Sequence, residues 1–390
     1  MLTPSELEAM PKKLEKYMSE LEMRIMQDIV RRIHINSDIT RAADWQLYRL
    51  KELGTAEKEV KKYIAEALKL SNEEVDRLYE DIIPKNYAHD EALYKASGKN
   101  FIPWTKNEEL QQTATALIMQ TKDELVNMSQ SMGFAVKMNG KVVFTPLSQR
   151  YQEIMDSAIM DISSGAFDYN TVIKRTINEM TNSGLRVVDY ASGWSNRAEV
   201  AARRALMTGV NQITGKITEV NAEKLQTDKY EVTWHAGARN TGEGYNNHQS
   251  WQGKVYTMAE LRSICGYGQG GGLKGWNCRH DFFPFVEGAS ERIYTDNELE
   301  KMNKKENESH RFDGKEYNTY EAIQKQRKLE TLMRKQRQDI KLLESANVSE
   351  DDLINAKSKY RLTQRQYVAL SKQFDIPQQM QRVTITSKTK

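Results

Sequence analysis

Six glycines between Gly266 and Gly275 constrain this chain more than any other feature, because they interrupt a sequence otherwise written for helices. Glycine at that density calls for tight turns and backbone conformations that other residues resist, and it belongs neither to a helix nor to a regular strand. Tyr230–Trp234 alternates as a strand just before it. From Tyr230 to Ser290 the chain carries three of its six histidines, three of its six tryptophans and both cysteines. The segment predicts a compact unit held by irregular structure.

The rest reads as helix after helix. Only 7 of 390 residues are proline, so long helices are seldom broken. Thr3-Pro4-Ser5-Glu6 is a helix start, and Pro11 marks a kink or a restart. Leu14, Tyr17, Met18, Leu21, Ile25, Ile29 and Ile33 recur at three- and four-residue steps as an amphipathic stripe. Ser37-Asp38 is expected to cap a helix ending at Gly54. Thr55 opens another, and Ser71-Asn72-Glu73-Glu74 reads as a capping box for a third that stops before Pro84. Further helices are expected over 107–128, 148–165 and 169–184. Between them Asn139-Gly140 turns a hairpin spanning Val136–Phe144. The longest helix is expected over 196–225, with Ala201, Ala202, Leu206, Val210, Ile213, Ile217 and Val220 as its buried stripe. Helices at 320–344 and from Ser349 to about Lys372 close the chain, and Val383–Lys390 are expected to fray.

The fold class is therefore mainly α: a long helical body, a small α+β, Gly/Trp-rich, loop-dominated module, and a helical basic tail. The expected regions are an N-terminal helical stretch (1–130), a hairpin with the long helix (131–226), the Gly/His/Trp-rich module (227–315) and the tail (316–390).

The overall charge of +3 does not mark a nucleic-acid binder, but its distribution is uneven. From Glu321 to Lys390 there are 15 Lys and Arg against 8 Asp and Glu, a net +7, which leaves −4 on the remainder. Lys325, Arg327, Lys328, Arg334, Lys335 and Arg337 are opposed only by Glu330 between Gln324 and Gln338. They form a candidate contact surface for DNA phosphates or for an acidic protein, read beside the plainer alternative of a solvated helix face. No aromatic residues accompany them for base stacking. Two cysteines are no disulfide framework. The N-terminus has neither the basic nor the apolar region of a secretory signal, and no apolar run approaches the ~20 residues of a membrane span, so cytoplasm-like conditions and no membrane partner are expected.

Four strings in the glycine-rich segment stand out: His235-Ala236-Gly237-Ala238-Arg239; His248-x-x-Trp251-Gln252-Gly253-Lys254-Val255-Tyr256; Gly266-Tyr267-Gly268; and Gly275-x-Asn277-Cys278-Arg279-His280-x-x-x-Pro284-Phe285. In this order they resemble the minor capsid protein 2 family of tailed phages and prophages of Gram-positive bacteria, which is related to Mu-like head-morphogenesis proteins. Tyr190-Ala191-Ser192-Gly193, the helix carrying Arg203-Arg204 and Thr208-Gly209-Val210-Asn211, and Gln324-x-x-Arg327-x-Leu329-Glu330 resemble it too. The resemblance covers roughly residues 1–375. It implies a structural protein of the virion head, bound to the portal, that aids procapsid assembly or DNA packaging and delivery. The portal is then the expected partner, with major capsid or scaffold protein and non-specific DNA as further ones. The expected location is the head interior near the portal, reached from the host cytoplasm.

The same residues admit other chemistry. His235, His248, Cys278 and His280 are all Zn²⁺-ligand types, but they lack the paired Cys-x-x-Cys or His-x₃–₅-His spacing of zinc modules. His248, Asn277 and His280 follow the residue order of small metal-dependent nucleases, without a convincing frame for such a site. A Cys278–His280 nucleophile–base pair would place its members on opposite faces of an extended backbone. The reading adopted is architectural. In a loop-rich unit His235, Arg239, His248, Asn277, Arg279 and His280 would satisfy backbone groups that no ladder reaches. Trp251 and Trp276, with Trp234, would supply apolar area, while Gly253 and Pro284 would shape turns. No catalytic residue and no cofactor is assigned. His34, His89 and His310 are expected on the surface.

Overall fold

The structure, a computed structural model, describes residues 2–35, 42–138, 140–189 and 192–385. In chain order it comprises α1 (Pro4–Ala9), α2 (Lys12–Ile35), α3 (Ala42–Ala88), α4 (Glu91–Ala96), α5 (Glu108–Gln130), β1 (Met132–Met138), β2 (Lys141–Pro146), α6 (Leu147–Ser163) and α7 (Tyr169–Ser183). There follow β3 (Arg186–Val188), β4 (Ser195–Arg197), α8 (Ala198–Leu225), β5 (Lys229–Val232), α9 (His248–Trp251), β6 (Val255–Thr257), α10 (Met258–Ser263) and β7 (Phe282–Pro284). The chain closes with α11 (Asp296–Asn307), β8 (His310–Phe312), β9 (Lys315–Tyr317), α12 (Thr319–Ser345) and α13 (Glu350–Gln373). The protein is mainly α-helical with small antiparallel sheets, as the pattern of its sequence predicts.

Most helix starts obey local chemistry. The Thr3 hydroxyl accepts from the Glu6 amide at 3.2 Å, and the Glu6 carboxylate accepts from the Thr3 amide at 2.8 Å, which completes the capping box of α1. Ser349 caps α13 by accepting from the Asp352 amide. The hairpin forms as β1 and β2 with Val136 opposite Val143, and Gly140 sits at φ +81°. Its other turn residue, Asn139, lies outside the described residues.

The region of three expected helices between Ser37 and Pro84 is different. Ser37-Asp38 lies outside the described residues. From Ala42 to Ala88 the chain is one 47-residue helix, the longest among the described elements, longer than the 28 residues of α8. Gly54 lies within it, in open space. Ser71 does not cap a helix: its hydroxyl donates back to the Ala67 carbonyl at 2.8 Å, the mid-helix alternative open to serine. Glu74 turns to Arg77 instead of to a backbone amide. Pro84 lies one turn from the C-terminal end, where a lost amide bond interrupts little of what remains. Fraying is also not what Val383 and Ile385 do, since both side chains are buried; residues 386–390 lie outside the described ones.

The chain divides into two compact units, each assembled from three separate stretches. The first holds residues 1–12, 72–124 and 203–325. Here α8 is buried nearly all round. A Cβ on Gly209 would come within 2.1 Å of the Tyr79 hydroxyl and 2.2 Å of the Thr121 hydroxyl, so α8 approaches α3 and α5 closely only because that position is glycine. Asn221 of α8 donates to Asp90 at 2.8 Å and accepts from the Tyr94 hydroxyl at 3.2 Å, which fixes the other end of the helix. The three-stranded sheet β6-β5-β7 and the hairpin β8-β9 also belong to this unit.

The second unit holds residues 13–71, 125–202 and 326–390. Its sheet has the order β2-β1-β3-β4. The expected stripe of α2 is buried except for Tyr17. At its centre Arg334 of α12 lies between two carboxylates, Glu22 at 2.9 Å and Glu199 at 2.6 Å. Burial alone would lower the pKa of Arg334, but Glu199 and Glu22 outweigh it and raise the value, so the guanidinium stays charged. Glu22 also accepts from the Leu185 amide at 2.7 Å and from Gln338 at 2.5 Å. One buried arginine thereby links α2, α8 and α12, and through Glu22 the residue that precedes β3.

Arg334 is therefore no contact for DNA or for a partner. Of the six basic residues singled out in the tail, only Lys328 is fully exposed; Lys335 donates to Asp339 at 2.8 Å, and the Arg337 guanidinium lies over the Tyr360 ring at 5.7 Å. Lys325 and Arg327 are half-buried. Much of the basic run works inside the fold.

Arg334→Ala should destabilise the protein by about 3–5 kcal/mol, because it leaves two carboxylates buried without a counter-charge. Replacing Arg334, Glu22 and Glu199 together by apolar residues of similar volume should cost far less. Urea unfolding of both variants measures the difference.

Candidate functional site

The glycine-rich module is built on three short strands. β5 is central, with Tyr230 opposite Tyr256 of β6 and opposite Pro284 of β7. Pairing then continues irregularly. The Val232 amide donates to the Lys254 carbonyl at 3.0 Å, the Thr233 amide to the Asp281 carbonyl at 2.9 Å, and the Asp281 amide to the Thr233 hydroxyl at 2.9 Å. This brings the ends of the two strands together, and with them His235 and His280, whose rings stack with centroids 4.2 Å apart.

Residues 248–280 complete the cluster. Short helix α9 delivers His248 and Trp251. His248 meets His280 edge-on at 5.4 Å between centroids, and Trp251 lies against both at 4.7 and 4.8 Å. Trp251 is fully buried, and its indole N–H donates to the Tyr245 carbonyl at 3.0 Å. Around it pack Tyr230, Val232, Tyr256, Leu261, Cys265, Leu273 and Phe282. Cys278 Sγ lies 3.5 Å from His280 Nδ1, although one residue separates them in the chain. The expectation of opposite faces is not met: residues 278–280 belong to no strand, the chain turns just before them at Asn277, with φ +57°, and the His280 amide itself points at the Cys278 sulfur at 3.4 Å.

The glycine run wraps this core as a loop. A Cβ on Gly272 would lie 2.3 Å from the Gly266 carbonyl oxygen and 2.6 Å from that of Cys265, closer than any side chain tolerates. Gly253, at φ +73°, leaves room for Leu299 of α11. The loop's polar groups are met by side chains. The Gly271 carbonyl accepts from His248 Nε2 at 2.9 Å and from Arg239 at 3.3 Å. Lys274 forms a buried ion pair with Asp281 at 2.5 Å and donates to the Thr214 hydroxyl of α8 at 2.7 Å. Asn211 of the same helix donates to the Lys274 carbonyl at 3.1 Å, and Tyr267 donates to Glu219 at 3.0 Å.

The architectural residues thus fall into two groups. His235, Arg239, His248, Trp251, Gly253, Cys278, His280 and Pro284 lie in or against the core. Trp276 and Asn277 do not: both are exposed, and Trp276 instead lies under the Arg204 guanidinium at 5.3 Å. Trp276 therefore contributes little of the apolar area expected of it, and Trp234 is half-buried. Arg279 points toward Glu8 at 3.5 Å. Sequence reasoning passed over Gln252, Lys274 and Asp281. Gln252 and Asp281 lie inside the recognised strings and Lys274 borders one, but a lone amide or carboxylate carries no spacing signal. Gln252 Oε1 accepts from the His235 amide at 3.2 Å and lies 2.9 Å from His280 Nε2. His34, His89 and His310 are exposed, as expected.

Burial governs the electrostatics. It lowers the pKa of His248 to about 4, against the opposing hydrogen bond to the Gly271 carbonyl, and lowers that of His280 well below the usual value, with His235 and His248 adding to the effect. Burial pushes the Cys278 thiol up as well. The cluster is a set of neutral, closely packed imidazoles and a thiol. It suits hydrogen bonding to backbone and the ligation of a soft or borderline metal ion. A nucleophilic cysteine would need the opposite, a lowered pKa and access.

The family profile of phage minor capsid protein 2 matches residues 2–370, and the chain belongs to that family of phage structural proteins. No curated protein and no solved structure matches it. The Tyr190-Ala191 end of one recognised string lies outside the described residues. Among the described residues no helix is long and apolar enough to cross a membrane.

Lys274→Met should leave Asp281 buried without its counter-charge and cost about 3–5 kcal/mol in urea unfolding. Acid should weaken the module too. Its depressed His248 pKa means that the unfolded chain binds the proton first, so the stabilisation is complete above about pH 6.5 and is lost progressively toward about pH 4. Melting temperatures across that window should fall, and less steeply in His248→Asn.

Proposed function

We propose that the protein is a minor structural component of the tailed-phage head that binds the portal and aids procapsid assembly or the packaging and delivery of DNA. The observation that carries this reading is the family match across nearly the whole chain. The module supports it from a second direction. Its histidines converge, as a hydrolytic site would require, but they converge in a buried core. His280 is fully buried, and Asn277, the third member of the nuclease-like order, is exposed on the far side of a turn. A site that must admit a phosphodiester needs an open cleft. The side chains of these strings hold backbone in place, which is the work of a scaffold.

The expected location is the head interior beside the portal. The fold leaves DNA contact a smaller part than the basic tail suggests, because Arg334 and Lys335 are engaged within the protein. The portal, not nucleic acid, is the first partner to test.

Co-expression with the portal protein should give a complex that survives gel filtration at physiological salt, and procapsids containing portal should contain this protein. Clean separation of the two proteins, with portal-containing procapsids lacking this chain, would overturn the portal reading.

A further inference from the structure

We propose that His248, Cys278 and His280 form a binding site for one Zn²⁺ ion, which cross-links α9 to the 275–280 turn of the glycine-rich module. The ligand atoms of the three residues lie within 4.8 Å of one another, and all three residues are buried. Zn–S and Zn–N distances of about 2.3 and 2.0 Å in a tetrahedron put sulfur and nitrogen about 3.5 Å apart. Cys278 Sγ and His280 Nδ1 already stand at 3.5 Å. Bringing in His248 asks for a contraction of the cluster from separations of at most 4.8 Å.

The hydrogen bonds around the cluster select the ligating tautomers. Gln252 Oε1 accepts from the His235 amide, so it is the oxygen of that side chain that faces His280 Nε2 at 2.9 Å. An oxygen there can only accept, so His280 carries its proton on Nε2 and keeps a bare lone pair on Nδ1, beside the Cys278 sulfur. His248 follows the same rule: its Nε2 lies 2.9 Å from the Gly271 carbonyl oxygen, also only an acceptor, and its Nδ1 is left bare. A metal-ligating imidazole characteristically donates its other N–H to an oxygen of this kind. Both histidines therefore have their outer partners in place. His235 does not join the triad: it stacks on His280, and its Nδ1 lies 3.0 Å from the Ala236 carbonyl oxygen.

Zinc would exchange for a proton. On binding, the Cys278 S–H bond breaks, the proton leaves to solvent, and the thiolate takes up the Zn–S bond, while two neutral imidazoles each give a lone pair. Three protein ligands leave one tetrahedral position for water. The absence of paired Cys-x-x-Cys spacing does not oppose the site, because its members come from α9 and from the stretch after Asn277, where Cys278 Sγ stands beside His280 Nδ1.

The test uses the full chain without a histidine tag, purified from cells grown with added zinc. Metal analysis should find about one zinc per chain, the stoichiometry of a single site. Cobalt exchanged into the site should show the intense near-ultraviolet absorption of a thiolate–cobalt bond. Cys278→Ser should lose that absorption and its bound zinc, while Gln252→Ala should weaken zinc affinity by roughly 10–100-fold against a competing chelator. If the serine variant does not fold, the cobalt spectrum of the wild type alone decides. A folded wild type that lacks thiolate–cobalt absorption, or whose zinc content is no higher than that of Cys278→Ser, overturns the proposal.

Discussion

The buried ion pair between Lys274 and Asp281 is the contact on which the glycine-rich module depends. Lys274 stands at φ +60° near the end of the glycine run, and Asp281 stands where β7 begins. Their 2.5 Å contact ties the loop to the sheet. The same lysine reaches Thr214 of α8, and the same carboxylate accepts from the Phe282 amide at 2.8 Å. Taking two charges out of water costs several kcal/mol per ion, so such a pair persists only where other hydrogen bonds complete it. Here the Thr214 hydroxyl and the Phe282 amide supply such bonds, while Asp281 Oδ2 is left without one, and the pair holds the path of residues 275–281 on which Cys278 and His280 lie.

The second unit solves a different problem with the same device. Arg334 holds Glu22 and Glu199, and Glu22 in turn receives the Leu185 amide and Gln338. In each unit a charged side chain, buried among its partners, joins segments far apart in the chain. Apolar stripes provide most of the burial, but they do not specify register between helices. The ion pairs do, because a shift of one helical turn would strand a charge in the core. The glycine module carries this logic furthest, since its loop has few ladder bonds and relies on His248, Arg239, Asn211 and Gln252 for the groups that strands would otherwise satisfy.

Much of the fold was legible because local chemistry decides it. The capping box at Thr3, the N-cap at Ser349, the hairpin of β1 and β2 and the stripe of α2 are each written in a few neighbouring residues. The failures occur where two local readings compete. Ser71-Asn72-Glu73-Glu74 has the composition of a cap, but Ser71 bonds back to Ala67 within an unbroken helix. The run from Lys325 to Arg337 has the composition of a basic surface, but a helix turns its residues to different sides, and Arg334 faces inward. The site shows the same division. The four strings of the module contain most of the residues that gather in its core, Trp276 and Asn277 being exposed, while Gln252, Lys274 and Asp281 were passed over because single polar residues carry no spacing.

The sequence by itself determined that this is a mainly helical chain with one glycine-rich, irregular module, and which family it resembles, because periodicity, caps and motif strings are short-range properties. The tertiary structure alone decided which polar residues are buried and what they meet. Cys278 and His280 are near neighbours in sequence, yet their 3.5 Å contact and the arrival of His248 beside them are set in a core closed by pairing between strands some fifty residues apart. Burial and partnership are properties of the closed core, and they exist only once the chain has brought its distant segments together.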